Sequence, residues 1–267
     1  MQNVTPPSDS QRRLPRRDRV RAVLARIRTD PSVRMTTLAE DFGVSAETIR
    51  RDLERLSAEG LVRRTLGGAI ASTEVKDPEF NIRMRENAAR RERVAQAAQA
   101  SILPGDVLFI SSGITALQFA QCLSTRDMSL TVISASVRVA NAMAANSSAQ
   151  VLLAPGQFDA GEQAVSGPET QSFLSKFHAD RVVFGASGVA AEGVTEARTA
   201  VAWNLRAMIA QADEAILLAD SSLFGRTKLE RVAPLSAVDL LVTDAAPDGD
   251  LSEALAAAGT RILVAED

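Results

Sequence analysis

The stretch Val44 to Leu56, V-S-A-E-T-I-R-R-D-L-E-R-L, carries the residue types that meet a polyanion. Ser45 is a good helix N-cap, and Glu47 falls in the first turn, where a carboxylate is favoured. Ile49, Leu53 and Leu56 recur at i, i+4 and i+7 and make one face apolar. The other side carries Thr48, Arg50, Arg51 and Arg55. Guanidinium groups offer paired donors to phosphates and to guanine edges, so this face is suited to nucleic acid. The bland alternative is an amphipathic helix with a solvated basic face.

A second set of residues lies in the body of the chain. Ser111-Ser112-Gly113-Ile114-Thr115, Ser134-Ala135-Ser136, Pro155-Gly156-Gln157, Gly185-Ala186-Ser187-Gly188 and Asp220-Ser221-Ser222 each follow a short apolar run. Small hydroxyl residues and glycines before helix starts leave backbone N–H groups free for an anion or a polar ligand. Short loops also use these residues for turns and caps. Their recurrence along one sheet edge is what points to a ligand site.

The elements that must position both sets follow from periodicity. An amphipathic helix is expected over residues 17–28, with Val20, Val23, Leu24 and Ile27 on one face. Asp30-Pro31 ends it. A shorter helix over residues 36–42 and the link Gly43-Val44 lead into the helix at 44–56, giving a helix-turn-helix. Gly60 is read as its C-terminal cap. Residues 61–66, the turn Gly67-Gly68 and the return Ala69-Ile70 form a β-hairpin wing that carries Arg63 and Arg64. Residues 72–80 read as a linker. Residues 80–102 read as mostly helical, with Val94, Ala98 and Ile102 buried and most of the arginines (Arg83, Arg85, Arg90, Arg91, Arg93) on a solvated face. Strand-like runs then recur at 107–110, 130–133, 151–153, 181–184, 215–218, 240–242 and 261–264. Helical segments between most of them imply a largely parallel sheet covered on both faces.

Composition narrows the function classes. Of 267 residues, 46% are hydrophobic, enough for a sizeable core. No apolar run reaches the ~18 residues of a membrane span. No signal pattern opens the chain, so a cytoplasmic location is expected. Cys122 and His178 are the only residues of their types, which rules out an internal disulfide and a two-histidine metal motif. Residues 1–75 hold 14 arginines against 10 carboxylates, whereas residues 76–267 hold 16 basic against 23 acidic residues. A basic amino-terminal piece on an acidic body assigns the polyanion to the first piece alone. The arginine-rich segment 12–21 fits either a disordered basic arm or a contact to backbone phosphates.

Residues 42–69, F-G-V-S-A-E-T-I-R-R-D-L-E-R-L-S-A-E-G-L-V-R-R-T-L-G-G-A, resemble the DeoR family of bacterial transcriptional regulators, also called the GlpR type. S-G-P-E-T at 166–170, A-D-R-V-V-F-G-A-S-G-V at 179–189, G-V-T-E at 193–196, L-L-A-D-S-S at 217–222 and V-T-D at 242–244 look like further landmarks of that family, as do Phe80 and Arg83. The resemblance implies an α/β protein: an N-terminal winged helix-turn-helix joined to a C-terminal sensor domain similar to ribose-5-phosphate isomerase. It implies repression of carbohydrate catabolism, phosphorylated sugars as inducers, and homo-oligomers. The sequence departs from the family pattern at five places. The D-x-G-T-T loop is Ser111 to Thr115, T-N-S is Ser134 to Ser136, and G-G is Pro155-Gly156 with Asp159 nearby. The lysine of S-S-K-F-G is Leu223, and the histidine of H-G-G is Leu66. Losing a cation while placing an acid nearby weakens a phosphate site, unless Arg226 or Lys228 substitutes.

The resulting expectations are a disordered tail (1–15), a winged helix-turn-helix (16–71), a linker (72–80) and an effector-sensing and oligomerisation domain (81–267). DNA contacts are expected from Ser45, Thr48, Arg50, Arg51, Arg63 and Arg64. Effector contacts are expected from Ser111, Ser112, Gly113, Thr115, Ser134, Ser136, Gly156, Ser187, Gly188, Asp220 and Ser222. The partners are an operator duplex, a small effector (a phosphorylated sugar or an altered ligand), and further copies in a homodimer or homotetramer. No metal or cofactor is expected. The competing readings are a sugar-phosphate isomerase-like enzyme and a nonspecific DNA-packaging protein.

Overall fold

The computed structural model describes residues 14–30, 33–58, 62–65, 68–71, 84 and 86–266. The expected cap Gly60, the turn residue Gly67, the linker 72–80, and Leu66, Phe80 and Arg83 lie outside the described residues, as does the tail before Leu14. The chain divides into two units, 1–76 and 77–267.

The smaller unit begins with α1 (Arg16–Thr29) and α2 (Met35–Asp41), followed by α3 (Ala46–Ala58). Val23 and Ile27 of α1, Leu38 of α2, and Ile49, Leu53 and Leu56 of α3 share one core with Val33 and Val62. The turn between α2 and α3 is closed by Val44 N–H donating to Ala39 O at 3.0 Å. Strands β1 (Val62–Thr65) and β2 (Gly68–Ala71) pair antiparallel, with Arg63 opposite Ile70 and Arg64 opposite Ala69. This is the winged hairpin that the sequence implies.

One ion pair ties α1 to α3. Arg19 Nε donates to Asp52 Oδ2 at 2.8 Å and Nη2 to Oδ1 at 3.4 Å. The Asp52 side chain is 2% exposed and that of Arg19 13%. Asp52 therefore belongs to the buried face of α3, beside Ile49 and Leu53.

The larger unit is organised by a seven-stranded sheet. Its strands are β3 (Val107–Ile110), β4 (Leu130–Ser134), β5 (Ala149–Leu153), β8 (Ala179–Gly185), β11 (Ala212–Leu218), β13 (Leu240–Thr243) and β14 (Arg261–Val264). They lie in the order β14-β13-β11-β8-β3-β4-β5, and every neighbouring pair is parallel. Alternate residues feed two cores. Phe109, Val182, Phe184 and Leu217 face one, with α7 (Pro168–Leu174), α8 (Thr199–Ile209) and α9 (Gly249–Ala258). Leu108, Ile110, Val183, Ile216 and Leu218 face the other, with α4 (Ala88–Ala98), α5 (Ile114–Ser124) and α6 (Val137–Met143). Burial on both faces explains why the central strands β3, β8, β11 and β13 read as continuous apolar runs.

Two small antiparallel pieces were absent from the sequence expectation. One is the hairpin of β6 (Gln157–Asp159) and β7 (Ala164–Ser166). The other is a sheet of β9 (Gly188–Ala190), β10 (Gly193–Glu196) and β12 (Glu230–Ala233) in the order β12-β10-β9. None of these pieces holds more than two apolar residues in a row, so they do not stand out from loops.

At the amino-terminal side of the main sheet, Arg181 of β8 bonds Asp106, just before β3, and Glu214 of β11 at 2.8 Å. Glu214 also bonds Arg261 of β14. Asp180 and Asp239 accept from Val107 N–H and Ala215 N–H, each at 2.7 Å. Ion pairs and side-chain bonds thus stitch that edge across the strands.

Asp52→Ala is expected to destabilise the smaller unit by about 3–5 kcal/mol, because it strands a largely buried guanidinium. Urea unfolding of the full chain, followed for the smaller unit's transition, measures it. A loss under about 1 kcal/mol would show that Arg19 relaxes into water instead.

Candidate nucleic-acid interface and ligand cavity

On α3 the buried positions are Ile49, Asp52, Leu53 and Leu56. Opposite them lies the stripe Glu47, Arg50, Arg51, Glu54, Arg55, at i, i+3, i+4, i+7 and i+8. Ser45 caps the helix: its Oγ accepts from Thr48 N–H at 3.2 Å and lies 2.9 Å from Thr48 Oγ1. Both hydroxyls thus sit at the start of the stripe.

The stripe is not uniformly basic. Arg50 donates from Nε to Glu47 Oε2 and from Nη2 to Glu47 Oε1, both at 2.8 Å, and from Nη1 to Glu54 Oε1 at 2.7 Å. Arg51 donates only its Nε, to Glu47 Oε1 at 3.1 Å, and its side chain is 72% exposed. The hydrogen bond from Arg50, aided by that from Arg51, pulls the Glu47 carboxyl well below the ordinary carboxylate range, to about 2. Glu47 in turn raises the pKa of Arg50. Four of the expected contact residues, Ser45, Thr48, Arg50 and Arg51, therefore share one end of α3. Arg63 and Arg64 lie on β1, and their side chains are not among the described atoms.

In the larger unit the strand order reverses between β3 and β8. β4 and β5 extend one way from β3; β11, β13 and β14 extend the other way from β8. At such a switch point the loops leaving adjacent carboxyl ends diverge and open a crevice. A cavity of about 280 Å³ is found there. Ser112, Gly113 and Thr115 line it after β3, Ser187 after β8, and Asp220 and Ser222 after β11.

The remaining expected effector residues do not line this cavity. Ser111 Oγ donates to Ser112 O at 2.9 Å. Ser134 Oγ donates to Ile110 O at 2.7 Å and accepts from Ser136 N–H at 3.0 Å. Ser136 caps α6 by accepting from Val139 N–H. These three are buried and spend their hydroxyls on the backbone. The two glycines serve close approach. A Cβ on Gly156 would lie 2.1 Å from Thr170 Oγ1, and one on Gly188 would lie 2.3 Å from Arg226 O.

Charged residues complete the wall, and sequence reasoning left most of them out. Arg91 was placed on a mostly solvated helix face, yet it is 7% exposed and lines the cavity. It donates from Nη2 to Met84 O at 2.9 Å and from Nε to Gln118 Oε1 at 3.2 Å. Burial lowers its pKa, against the opposing charges of Asp220 and Glu86. Glu196, inside the G-V-T-E landmark, accepts from Ser187 Oγ at 2.6 Å, Ala197 N–H at 2.7 Å and Arg198 N–H at 3.2 Å. Arg198 pairs with Glu162 at 2.9 Å. Asp220 Oδ1 accepts from the N–H and hydroxyl of Ser222, and Asn87 donates to Ser222 Oγ at 2.9 Å. Glu86, Glu162, Glu196 and Asp220 thus face Arg91, Arg198 and Arg226, four carboxylates against three guanidiniums. Leu223, where the family pattern has lysine, also lines the wall. A second hollow of about 240 Å³ adjoins, sharing Ser112, Glu162, Arg198 and Val201.

His178 lies apart, on the surface, 2.9 Å from Asp213. Cys122 is half-buried on α5, and burial raises its thiol pKa. Among the described residues no cluster of histidine, cysteine and carboxylate could hold a metal ion, and no helix is long and apolar enough to cross a membrane.

A winged helix-turn-helix unit followed in the chain by a parallel α/β unit with a charged cavity at its switch point defines a DNA-binding transcriptional regulator with a sensor domain. The DeoR C-terminal sensor domain matches residues 86–245, and the DeoR-like helix-turn-helix domain matches residues 19–75. The chain belongs to the DeoR family. It is 31% identical over 225 residues to the glycerol-3-phosphate regulon repressor of Escherichia coli strain K12, covering 82% of this chain and 86% of that one. It is 30% identical to the transcriptional repressor GlcR of Bacillus subtilis, covering 84% and 86%. It is 32% identical to the L-fucose operon activator of Haemophilus influenzae, covering 78% and 83%. Among solved structures, ribose-5-phosphate isomerase A from Methanocaldococcus jannaschii aligns at 17% identity and a TM-score of 0.39 over 52% of this chain and 55% of that one.

The Glu47 carboxyl is expected to titrate near pH 2 by carbon-detected NMR. Because its folded pKa is depressed, its pairing with Arg50 stabilises the helix above the ordinary carboxylate pKa of ~4.3 and is lost as pH falls toward 2. Titration near the ordinary value would show that the pair is open in solution.

Proposed function

We propose that the chain represses genes of carbohydrate catabolism and that a small polar metabolite bound in the switch-point cavity releases it from its operator. The observation that carries this reading is the cavity itself. It stands at the ligand-binding edge of the sheet and is walled by residues that offer hydroxyl, carboxylate and guanidinium groups. The names of the relatives supply the sugar-related setting. Binding would favour one arrangement of a homo-oligomer through its different affinity for the two arrangements. A two-fold assembly would set paired α3 helices against paired half-sites. We place the protein in the cytoplasm, with its DNA.

The wall bears on the ligand. With four carboxylates against three guanidiniums it is no general anion trap. Arg198 is engaged by Glu162, and Arg91 is set among Gln118, Met84 O and the charge of Asp220. Arg226 is exposed and makes no ion pair among the described residues, so it is the cation best placed to take an anionic group. Lys228 does not line the cavity. A ligand with one anionic group and several hydroxyls fits this arrangement.

The isomerase reading asks for a carboxylate free to abstract a proton. Of the four wall carboxylates, Glu196 accepts three donors, Asp220 two, and Glu162 is held by Arg198, which leaves the exposed Glu86 as the one without such a partner among the described residues. These commitments favour binding over catalysis, and incubation with ribose 5-phosphate is expected to give no ketose product.

The decisive test is binding of the full chain to DNA from its own upstream region at fixed salt, with and without a panel of sugars and sugar phosphates. Tight binding relieved by one compound is the expected outcome. Binding relieved by none would separate operator recognition from the proposed sensing. Arg51→Ala is expected to weaken operator binding by about 1–3 kcal/mol through loss of a bidentate base contact. Arg226→Ala is expected to weaken an anionic effector by about 1.5–3 kcal/mol while leaving operator affinity unchanged. Equal loss for neutral and anionic compounds would remove Arg226 from the anion site.

A further inference from the structure

The carboxylate between the two arginines of α3 is arranged as a reader of bases. We propose that Glu47 accepts a hydrogen bond from the exocyclic amine of a cytosine, at the base step next to the guanine read by Arg51. The inference rests on the DNA-binding reading of α3 and adds a specificity determinant to it.

Donor and acceptor counts lead there. A carboxylate offers about four lone-pair sites. Arg50 takes one on each Glu47 oxygen, and Arg51 takes a second on Oε1. One acceptor site remains, on Oε2. The group is ionised at any working pH, so it accepts and never donates. Among base edges in the major groove, cytosine N4 is the partner that offers a donor without a neighbouring acceptor to repel the carboxylate.

Arg51 is the complementary half. Its Nε is engaged by Glu47, which leaves both terminal nitrogens for the N7 and O6 of a guanine. Arg50 differs, because each of its three nitrogens already donates to a carboxylate. Gripped by Glu47 and Glu54 from both sides, it holds the Glu47 carboxylate in one rotamer. Arg50 is thus a positioning residue, while Glu47 and Arg51 present an acceptor and a donor pair side by side. Glu47 lies in the first turn of α3, and the first turns of a recognition helix are the part that approaches base edges.

The test is selection of bound sequences from a randomised duplex pool by the full-length wild type, Glu47→Gln, Glu54→Gln and Arg51→Ala, with circular dichroism to confirm folding. Wild type is expected to select a guanine flanked by a cytosine in each half-site. Glu47→Gln, which adds a side-chain donor, should lose the cytosine preference at that one position, by about tenfold in the affinity ratio of cytosine to adenine. The guanine preference should remain. Glu54→Gln should keep both, and Arg51→Ala should lose the guanine. If Glu47→Gln weakens all sites alike with its base preferences intact, Glu47 merely orients the arginines and the proposal falls. A wild type that selects no sequence would overturn the operator reading, and this inference with it.

Discussion

A parallel strand cannot be joined to its neighbour by a tight turn, and much of the larger unit follows from that restriction. The main strands return through crossovers, so helices cover both faces and the central strands are apolar on both sides. All strand-to-helix loops then emerge at one edge. Because the chain starts in the interior of the sheet at β3, it builds outward through β4 and β5 and then returns to build the other way from β8. The crevice between β3 and β8 is a product of that path, and the cavity occupies it.

The two edges of the sheet are treated differently. At the amino-terminal side, Asp106, Arg181, Glu214 and Arg261 link β3, β8, β11 and β14 through hydrogen-bonded ion pairs. The carboxyl edge leaves its hydroxyls and charges around an open space. A sheet fastened along one edge gives the loops at the other a fixed frame, which is what a binding site on loops requires. In the smaller unit the Arg19–Asp52 pair ties α1 to the same face of α3 that Ile49, Leu53 and Leu56 bury.

The elements were legible in the sequence wherever a helical period or an apolar run bounded by turn residues marked them. The helix-turn-helix follows from its helical period, the wing from Gly67-Gly68, and the seven main strands from apolar runs separated by helical segments and turns. Short antiparallel pieces such as β9 and β12 were not, because each holds only two apolar side chains in a row. The candidate ligand residues were legible in part. Ser112, Gly113, Thr115 and Ser187 line the cavity because they follow β3 and β8, which meet at the reversal in strand order, and Asp220 and Ser222 reach it from the neighbouring β11. Ser134 and Ser136 have the same local look, but their hydroxyls are consumed by Ile110 O and by the cap of α6. Arg91, Glu162 and Arg198 come from a helix, a hairpin and a helix start that only tertiary packing brings to the wall. The Glu47–Arg50 pairing was within reach of the sequence, because i,i+3 spacing on a helix places opposite charges together.

The outward stripe of α3 carries three arginines and two glutamates. Its pull on an arbitrary stretch of phosphate backbone is therefore small, since nonspecific hold grows with the number of phosphates neutralised. A helix of this kind leaves random sequence quickly and lingers where its donors and acceptors all find partners.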